Sequence, residues 1–407
     1  MKYSAFAVLA SVAAFAPATS NAADLPVAPA PVDYVGLCNA YGAGFFYIPG
    51  TETCLRVGGG MRVEFRFRDF AENDSPNWGT RDGDATTTRA RAYARFDSRT
   101  NTEYGLLRTY VDLWFTGDSG GSTTPGVRLE NGFIQFGGFT FGRAGSFFNF
   151  YTGDNWGSII QQGFSDHRTN LFAYTYGYDI GASLTLSVED ATFVRGDSFR
   201  YFNGTSAYGL YGGHKWPDLV ANLRVDQGWG SAQIMGALHQ VYGRGSTFAA
   251  PVAASETGFA IGAGVTFNAP MIAQGDTISF QAAYAKGAVR YVHEAAAITD
   301  AIAIGTSRLQ STTGWGIGGG FTHHWTPTVY SAATANFASF QNDLGGVAPL
   351  ELKVEQWGVQ GNLVWAPVTG FLMGVELEYE QIRWNNVFAP AASDDNVVGV
   401  LRVQRTF

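Results

Sequence analysis

The chain has 407 residues and carries 26 Lys and Arg against 34 Asp and Glu, a formal net charge of −8. Such an acidic chain offers nucleic acid no electrostatic attraction, so we exclude nucleic acid as a partner. Apolar residues make up 46% of the chain and Gly contributes 52 residues, a composition that is typical of many short strands joined by tight turns.

Residues 1–22 have the layout of a secretory signal peptide. Lys2 is followed by an apolar run and then by small residues that end at Ala22. The run is shorter than the ~20 apolar residues that a membrane-spanning helix needs, which disfavours a permanent anchor. We therefore predict export, with the mature chain beginning near Ala23.

The only two cysteines, Cys38 and Cys54, lie early in the predicted mature chain. An isolated pair in an oxidising compartment is best interpreted as one disulfide. A metal site is the alternative, but two thiolates with no nearby histidine cannot complete a tetrahedral site. No metal is therefore expected here.

A strict alternation of residue types begins at Leu55. From Leu55 to Arg68 the odd positions are apolar or Gly, and the even positions are charged or Gly. The segments "TTRARAYARFDSR" (87–99) and "GLLRTYVDLWF" (105–115) repeat the pattern, which continues to "GVELEYEQI" (374–382). Because a pleated strand sends successive side chains to opposite faces, each such segment is predicted to be a strand.

The connections between these segments alternate in length. Long loops are expected near residues 70–86, 117–128, 144–169, 190–217, 243–255, 287–310, 341–351 and 385–395, with short joints between them. We count sixteen strands, with all eight long loops on one side. An even number of alternating strands with this asymmetry predicts an all-β fold, the transmembrane antiparallel β-barrel of the bacterial cell outer membrane.

The sheet must close if it spans a membrane, because every backbone N–H and C=O in hydrocarbon needs an internal partner. A soluble β-sandwich or propeller would also alternate, with its apolar faces meeting in a core. The arginines of the first three strands favour the barrel, because they need a wet lumen. Residues 54–407 are thus predicted to form the barrel, and residues 23–53 an N-terminal segment on its periplasmic side, joined by the disulfide to the first strand.

Two stretches resemble the general porins of alphaproteobacteria. "LCNAYGAGFFYIPGTETCLRVGGGMR" (37–62) is similar to that family's mature N-terminal signature, both cysteines included, and "FGGFTFGRAGSFFNF" (136–150) is similar to the strand before its constriction loop. The final residue, Phe407, matches the terminal phenylalanine that outer-membrane barrels present to their assembly machinery. The resemblance extends over the whole chain in length, signal and loop layout.

This resemblance implies a homotrimer of water-filled barrels in contact with outer-membrane lipid and lipopolysaccharide. It also implies a third external loop folded inward to narrow each channel, here about residues 144–169, with Asp154 and Asp166 as its carboxylates. The opposite wall is expected to carry the arginines of the first five strands: Arg62, Arg66, Arg89, Arg91, Arg95, Arg108 and Arg143.

These charged residues also have a structural interpretation. Each arginine could pair with an acid such as Glu64, Asp97 or Asp112, and we expect about half of them to line the constriction while the rest are paired. Asp154 and Asp166 could equally serve the geometry of a loop turn.

The function that follows is passive diffusion of ions and small hydrophilic solutes, with no cofactor. A substrate-specific sugar or nutrient channel is the alternative, although Tyr93, Tyr110 and Trp114 are few for the aromatic ladder it would need.

A second alternative is an outer-membrane hydrolase that uses Ser119 of "TGDSGGS" (116–122). All six histidines follow Ser119, which excludes the chain order of chymotrypsin-like proteases, and the surrounding Gly and Asp residues favour an exposed turn. No catalytic residue is therefore predicted.

Overall fold

The computed structural model describes residues 36–68, 84–119, 125–156, 163–196, 198–200, 206–208, 211–243, 254–304, 308–343, 351–386 and 389–407. The predicted signal peptide lies outside the described residues. Within these ranges, no helix is both long and apolar enough to cross a membrane.

Among the described residues, one antiparallel sheet contains the sixteen strands of the barrel and the two-residue strand Phe46–Tyr47, which pairs with the first of them. The sixteen barrel strands are β1 (Cys54–Arg68), β2 (Thr86–Thr102), β3 (Gly105–Asp118), β4 (Gly126–Phe136), β5 (Phe139–Gly145), β6 (Arg168–Tyr178), β7 (Ala182–Glu189), β8 (Asp218–Gln227), β9 (Gly230–Tyr242), β10 (Ser255–Asn268), β11 (Thr277–Lys286), β12 (Thr313–Thr326), β13 (Val329–Asp343), β14 (Glu351–Val368), β15 (Phe371–Asn386) and β16 (Ala389–Thr406). Each strand pairs with the next, and β16 pairs with β1, with Arg62 opposite Gln404. The predicted closed barrel of sixteen strands is confirmed.

Alternate side chains face opposite sides of this sheet, as predicted. On β1, Val63 is 49% exposed on the outer surface, whereas its neighbour Glu64 is fully buried inside the barrel. On β15, Leu377 is exposed and Glu378 is buried in the same way. The apolar outer face suits contact with hydrocarbon, and the polar inner face suits a hydrated lumen.

The long connections follow the odd-numbered strands, but the eighth predicted loop, residues 385–395, is wrong. Strand β15 extends to Asn386 and β16 begins at Ala389, with Gln381 paired opposite Asp395. Polar residues such as Asp394 and Asn396 suggested a loop, yet both side chains are buried on the inner face. A wet lumen accepts polar residues within a strand, so polarity alone does not mark a loop here.

The N-terminal segment is attached to the start of β1. The predicted disulfide between Cys38 and Cys54 is present, and Tyr47 pairs with Cys54 in a short antiparallel bridge. Cys54 also lies opposite Arg99, near the short turn between β2 and β3. The described part of this segment, residues 36–53, therefore lies at the end of the barrel that carries the short turns.

Candidate functional site

A cavity of about 500 Å³ lies inside the barrel against the inner faces of β1 to β6. Six arginines line it: Arg62, Arg89, Arg91, Arg128, Arg143 and Arg168. Three carboxylates face them, those of Glu130, Asp166 and Glu294. So many ionic groups around one space require water inside it, because unpaired charge in a dry cavity is costly.

Two of these arginines stand directly opposite each other. Arg62 on β1 and Arg91 on β2 are register partners, and like charges in that arrangement repel. Trp114 on β3 offsets part of this cost, since its ring centroid lies 4.3 Å from the Arg91 guanidinium and 5.6 Å from that of Arg62. The tryptophan thus helps to keep two positive charges side by side.

Arg91 and Arg143 have no carboxylate partner among the described residues. The Arg91 side chain is 8% exposed and donates to the Thr116 hydroxyl at 2.7 Å. Arg143 donates to the Leu129 carbonyl at 3.1 Å and covers the Phe193 ring. In the described part of the chain, neither guanidinium group is therefore neutralised by an adjacent acid.

The other predicted wall arginines bind acids. Arg89 lines the cavity but forms a bidentate pair with Asp118, at 2.6 and 2.7 Å. Three do not line the cavity: Arg66 pairs with Glu64, Arg95 with Asp112 at 3.1 Å, and Arg108 with Asp97 at 2.8 Å.

Sequence reasoning missed Arg128 and Arg168, which both bind Glu130, at 2.9 and 2.5 Å. Arg128 and Glu130 occupy alternate positions of "GVRLENGF" (126–133), so the period-two pattern could have identified them. Arg168 is the first residue of β6, directly after the loop. No alternating pattern precedes it, so the sequence does not show which face of the sheet its side chain occupies.

The β5–β6 segment, residues 146–167, contacts the far wall of the barrel. The Tyr151 backbone N–H donates to the Gln281 side chain on β11 at 2.9 Å. The backbone N–H groups of Asp154 and Trp156 donate to Thr334 on β13 and Glu376 on β15. The described part of this segment therefore lies against the inner faces of β11, β13 and β15.

Glycines on the far wall make room for the β5–β6 segment. A Cβ atom on Gly318 of β12 would lie 2.6 Å from the Phe164 ring, closer than real contacts allow. Gly264 on β10 is covered in the same way by Phe150, and Gly320 by Tyr151. The Gly-rich run "GWGIGGGF" (314–321) thus supplies a flat inner surface against which the aromatic residues pack.

The two predicted loop carboxylates occupy different surroundings. Asp166 lines the cavity, 3.2 Å from the Arg168 guanidinium. Asp154 is not among the cavity-lining residues and accepts a hydrogen bond from the Tyr151 hydroxyl at 2.7 Å. Burial raises the pKa of the Asp154 carboxyl above its ordinary value.

A second connection enters the lumen, which the sequence pattern did not predict. The β11–β12 segment, residues 287–312, packs buried apolar residues such as Val292 and Ile298 into a cluster with inward side chains of the strands, including Met235 and Phe340. Its Glu294 backbone N–H donates to the Phe164 carbonyl at 3.1 Å, so the two inserted segments touch. The run "AAAI" (295–298) and the inward apolar residues were the available signal.

In the described ranges, no three His, Cys, Asp or Glu side chains are placed to hold a metal ion together. His323 and His324 both contact Asp276, at 2.7 and 3.3 Å, in the turn region between β10 and β11. These contacts fix the turn, and they lie apart from the residues that line the cavity.

Comparison with known proteins identifies relatives along nearly the whole chain. A family model described as "Porin subfamily" (Porin_2) matches residues 24–400. Porin Omp2b of Brucella neotomae is 29% identical over 427 aligned residues, which cover 98% of this chain and 98% of the relative. Porin Omp2b of Brucella abortus (strain 2308) gives the same identity and coverage.

Solved structures share the barrel fold at low sequence identity. The outer membrane channel DcaP of Acinetobacter baumannii matches with a TM-score of 0.65 and 17% identity, covering 89% of this chain and 99% of that one. OmpT, an outer membrane protein of Vibrio cholerae solved in a trimer form, matches with a TM-score of 0.54 and 10% identity, covering 88% and 100%. These likenesses are to the fold.

Proposed function

This chain belongs to the porin family, in the Porin_2 subfamily. From that premise we propose that charged residues of its lumen select the solutes that pass through the channel. It is an outer-membrane channel for passive diffusion of solutes. The observation that carries the finer proposal is the cavity in which a row of arginines faces the β5–β6 segment. We assign this cavity to the narrowest part of the channel, with the β5–β6 segment as the inward-folded constriction loop.

The charge distribution at this constriction would order water and small polar solutes. Arginines of β1 and β2 line the cavity together with Asp166 and Glu294, which come from the β5–β6 and β11–β12 connections. Water and small hydrophilic molecules align with the field between them and pass, whereas bulky apolar molecules must disrupt that ordered water. The chain needs no cofactor for this process, because solutes move down their own gradients.

The same residues favour small anions over cations. Six arginines and three carboxylates line the cavity, and Arg91 and Arg143 have no acidic partner in the described part of the chain. Uncompensated positive charge raises the local concentration of anions and excludes cations. This preference operates at the constriction, whatever the charge of the rest of the chain.

A homotrimer accounts for the short strands on one side of the barrel. β5 has 7 residues and β7 has 8, whereas β14 and β16 have 18 each. A strand needs about 9–11 residues to span the hydrocarbon region. The exposed aromatic Phe139 and Phe172 on this side would pack against another copy, as supported by the trimer form of the Vibrio cholerae barrel.

The remaining partners follow from the outer surface. The exposed apolar faces of the longer strands would contact outer-membrane lipid and lipopolysaccharide. Phe407 extends the β16–β1 pairing, since its backbone N–H and C=O bond to Gly59 at 3.0 and 3.1 Å, while its side chain is 82% exposed. An accessible terminal aromatic side chain is what the barrel assembly machinery would require as an assembly signal.

Planar bilayers provide the direct test of the channel. We expect the purified, folded protein to insert and give stepwise conductance increases, each of which closes in three equal parts at high voltage if one trimer inserts at a time. A potassium chloride gradient should give a reversal potential of the sign that anion preference requires. Well-folded protein that leaves the bilayer closed would contradict the proposed function, and inserted units that close at high voltage in one part instead of three would contradict the trimer.

A hydrolase centred on Ser119 finds no support in its contacts. The Ser119 hydroxyl accepts hydrogen bonds from the Thr88 backbone N–H at 2.7 Å and from the Thr88 hydroxyl at 3.2 Å. The Ser119 N–H donates to the Thr88 carbonyl, which extends the pairing of β2 and β3 by one residue. Ser119 therefore serves the end of a strand pair.

Replacing Ser119 with Ala should leave the channel nearly unchanged. We expect single-channel conductance equal to wild type within error and a loss of at most about 1 kcal/mol of stability, the contribution of an ordinary hydrogen bond. The measurements are bilayer conductance and thermal unfolding in detergent. An esterase or protease activity of the wild-type protein that the Ser119→Ala variant lacks would overturn this prediction.

A further inference from the structure

The β11–β12 segment is fixed inside the barrel by a buried network as well as by apolar packing. Asp300 is fully buried and accepts hydrogen bonds from the Val289 backbone N–H at 2.7 Å and from the Tyr211 hydroxyl at 2.6 Å. Tyr211 also bonds His239 on β9 at 2.8 Å. These bonds tie Val289 and Asp300 to each other and to the barrel wall, so the residues between them have a fixed position.

Glu294 lies between Val289 and Asp300, at the edge of the cavity. Its backbone N–H is bonded to the Phe164 carbonyl of the β5–β6 segment, and its side chain lines the cavity. Among the described residues its carboxylate makes no hydrogen bond or ion pair, unlike Glu130, which binds Arg128 and Arg168. A carboxylate with a fixed backbone and no partner in the described part of the chain therefore borders the proposed permeation path.

We propose that Glu294 is a specificity-determining residue of this channel, a second acidic element opposite the arginine wall, contributed by the β11–β12 segment. When charged, it offsets part of the field of the uncompensated arginines and weakens the preference for anions. When neutral, it leaves that field unopposed. This inference rests on the proposed diffusion channel.

The surroundings of Glu294 make its charge depend on pH near neutrality. Burial, and after it the charge of Asp166, raises the pKa of the Glu294 carboxyl to about 7. The basic groups that act on it are Arg128 of β4, Arg168 of β6 and Arg290 of its own segment.

His167 and the arginines of β1, β2 and β5 also line the cavity. His167 lines the cavity from the β5–β6 segment, and burial lowers its pKa to about 4, so it is neutral near pH 7. Glu130 binds Arg128 and Arg168, and Asp166 also binds Arg168. The arginines of β1, β2 and β5 stay charged near pH 7 because a guanidinium group loses its proton only at much higher pH. As the pH falls through about 7, Glu294 gains a proton and the cavity becomes more positive.

Reversal potentials in a potassium chloride gradient test this directly, for wild type and for Glu294→Gln at about pH 8 and about pH 6. For wild type we expect the chloride-to-potassium permeability ratio to rise about twofold on acidification. Glu294→Gln should already show the acidic value at about pH 8 and should not change with pH. Glu294→Asp should keep the pH step, and Glu103→Gln, in the exposed turn between β2 and β3, should behave as wild type.

A Glu294→Gln channel with the wild-type ratio at about pH 8, or one that keeps the pH step, would overturn the assignment. A wild-type ratio that is flat over this range would do so without any variant. These outcomes all require a conducting channel, so they are distinct from failure of the proposed function, in which the wild-type protein leaves the bilayer closed.

Discussion

Replacing Arg91 and Arg143 together with Gln is expected to reduce the chloride-to-potassium permeability ratio about a hundredfold. A unit charge about 6 Å from a passing ion is worth about 0.7 kcal/mol in water, with opposite signs for chloride and potassium, so each charge changes the ratio by about one factor of ten. Both side chains lie at the cavity and neither has an acidic partner among the described residues. Their charge therefore acts on the solute without local neutralisation.

The experiment is a reversal-potential measurement at low ionic strength, because salt screens exposed charges beyond about 10 Å at 0.1 M. Gln keeps a donor for the Thr116 hydroxyl and the Leu129 carbonyl, so the local hydrogen bonds can persist. Arg405→Gln is the matched control, since Arg405 is exposed near the C terminus and contacts the Thr369 carbonyl. An unchanged ratio in the double variant would assign selectivity to other parts of the lumen.

The fold was predictable because its signal is local. Alternation is imposed residue by residue by lipid on one side and water on the other, so β1 could be placed to within one residue from Leu55 to Arg68. The same reasoning failed at β16. Asp394 and Asn396 are polar residues that face the lumen, as expected for alternate positions of a barrel strand. Without knowledge of their pairing with β15, the same polar residues suggest a loop.

The constriction was less predictable, because its contacts join residues far apart in the chain. Tyr151 contacts Gln281, and Phe164 covers Gly318. The residues of each pair lie far apart in the sequence, so a local alternation of residue types cannot predict their contact. The pattern identified Arg62, Arg91 and other inward arginines, but it could not distinguish those that face the cavity from those bound to acids. That distinction depends on register between strands and on where the two inserted segments dock.

Glu64 marks the seam where the barrel closes, and its substitution should have the largest effect on stability. Its fully buried carboxylate binds three arginines: Arg62 on the same strand at 3.0 Å, Arg402 on β16 at 2.9 Å, and Arg66. Three guanidinium groups held together by one carboxylate repel one another once that carboxylate is lost. Removing one partner of a buried ion pair costs about 3–5 kcal/mol.

We therefore expect Glu64→Gln to lower the free energy of unfolding in detergent by about that amount, measured by denaturant titration of tryptophan fluorescence. Asp226→Asn is the matched control. Its partner Arg224 is at a similar distance, 2.8 Å, but both side chains are exposed, so the loss should be about 0–1 kcal/mol. Equal effects of the two substitutions would mean that water reaches the Glu64 cluster and screens it. A large difference would instead place a strong electrostatic stabilisation of the closed barrel at the β1–β16 seam, because Glu64 binds arginines from both β1 and β16, whereas Asp226 binds an arginine of its own strand.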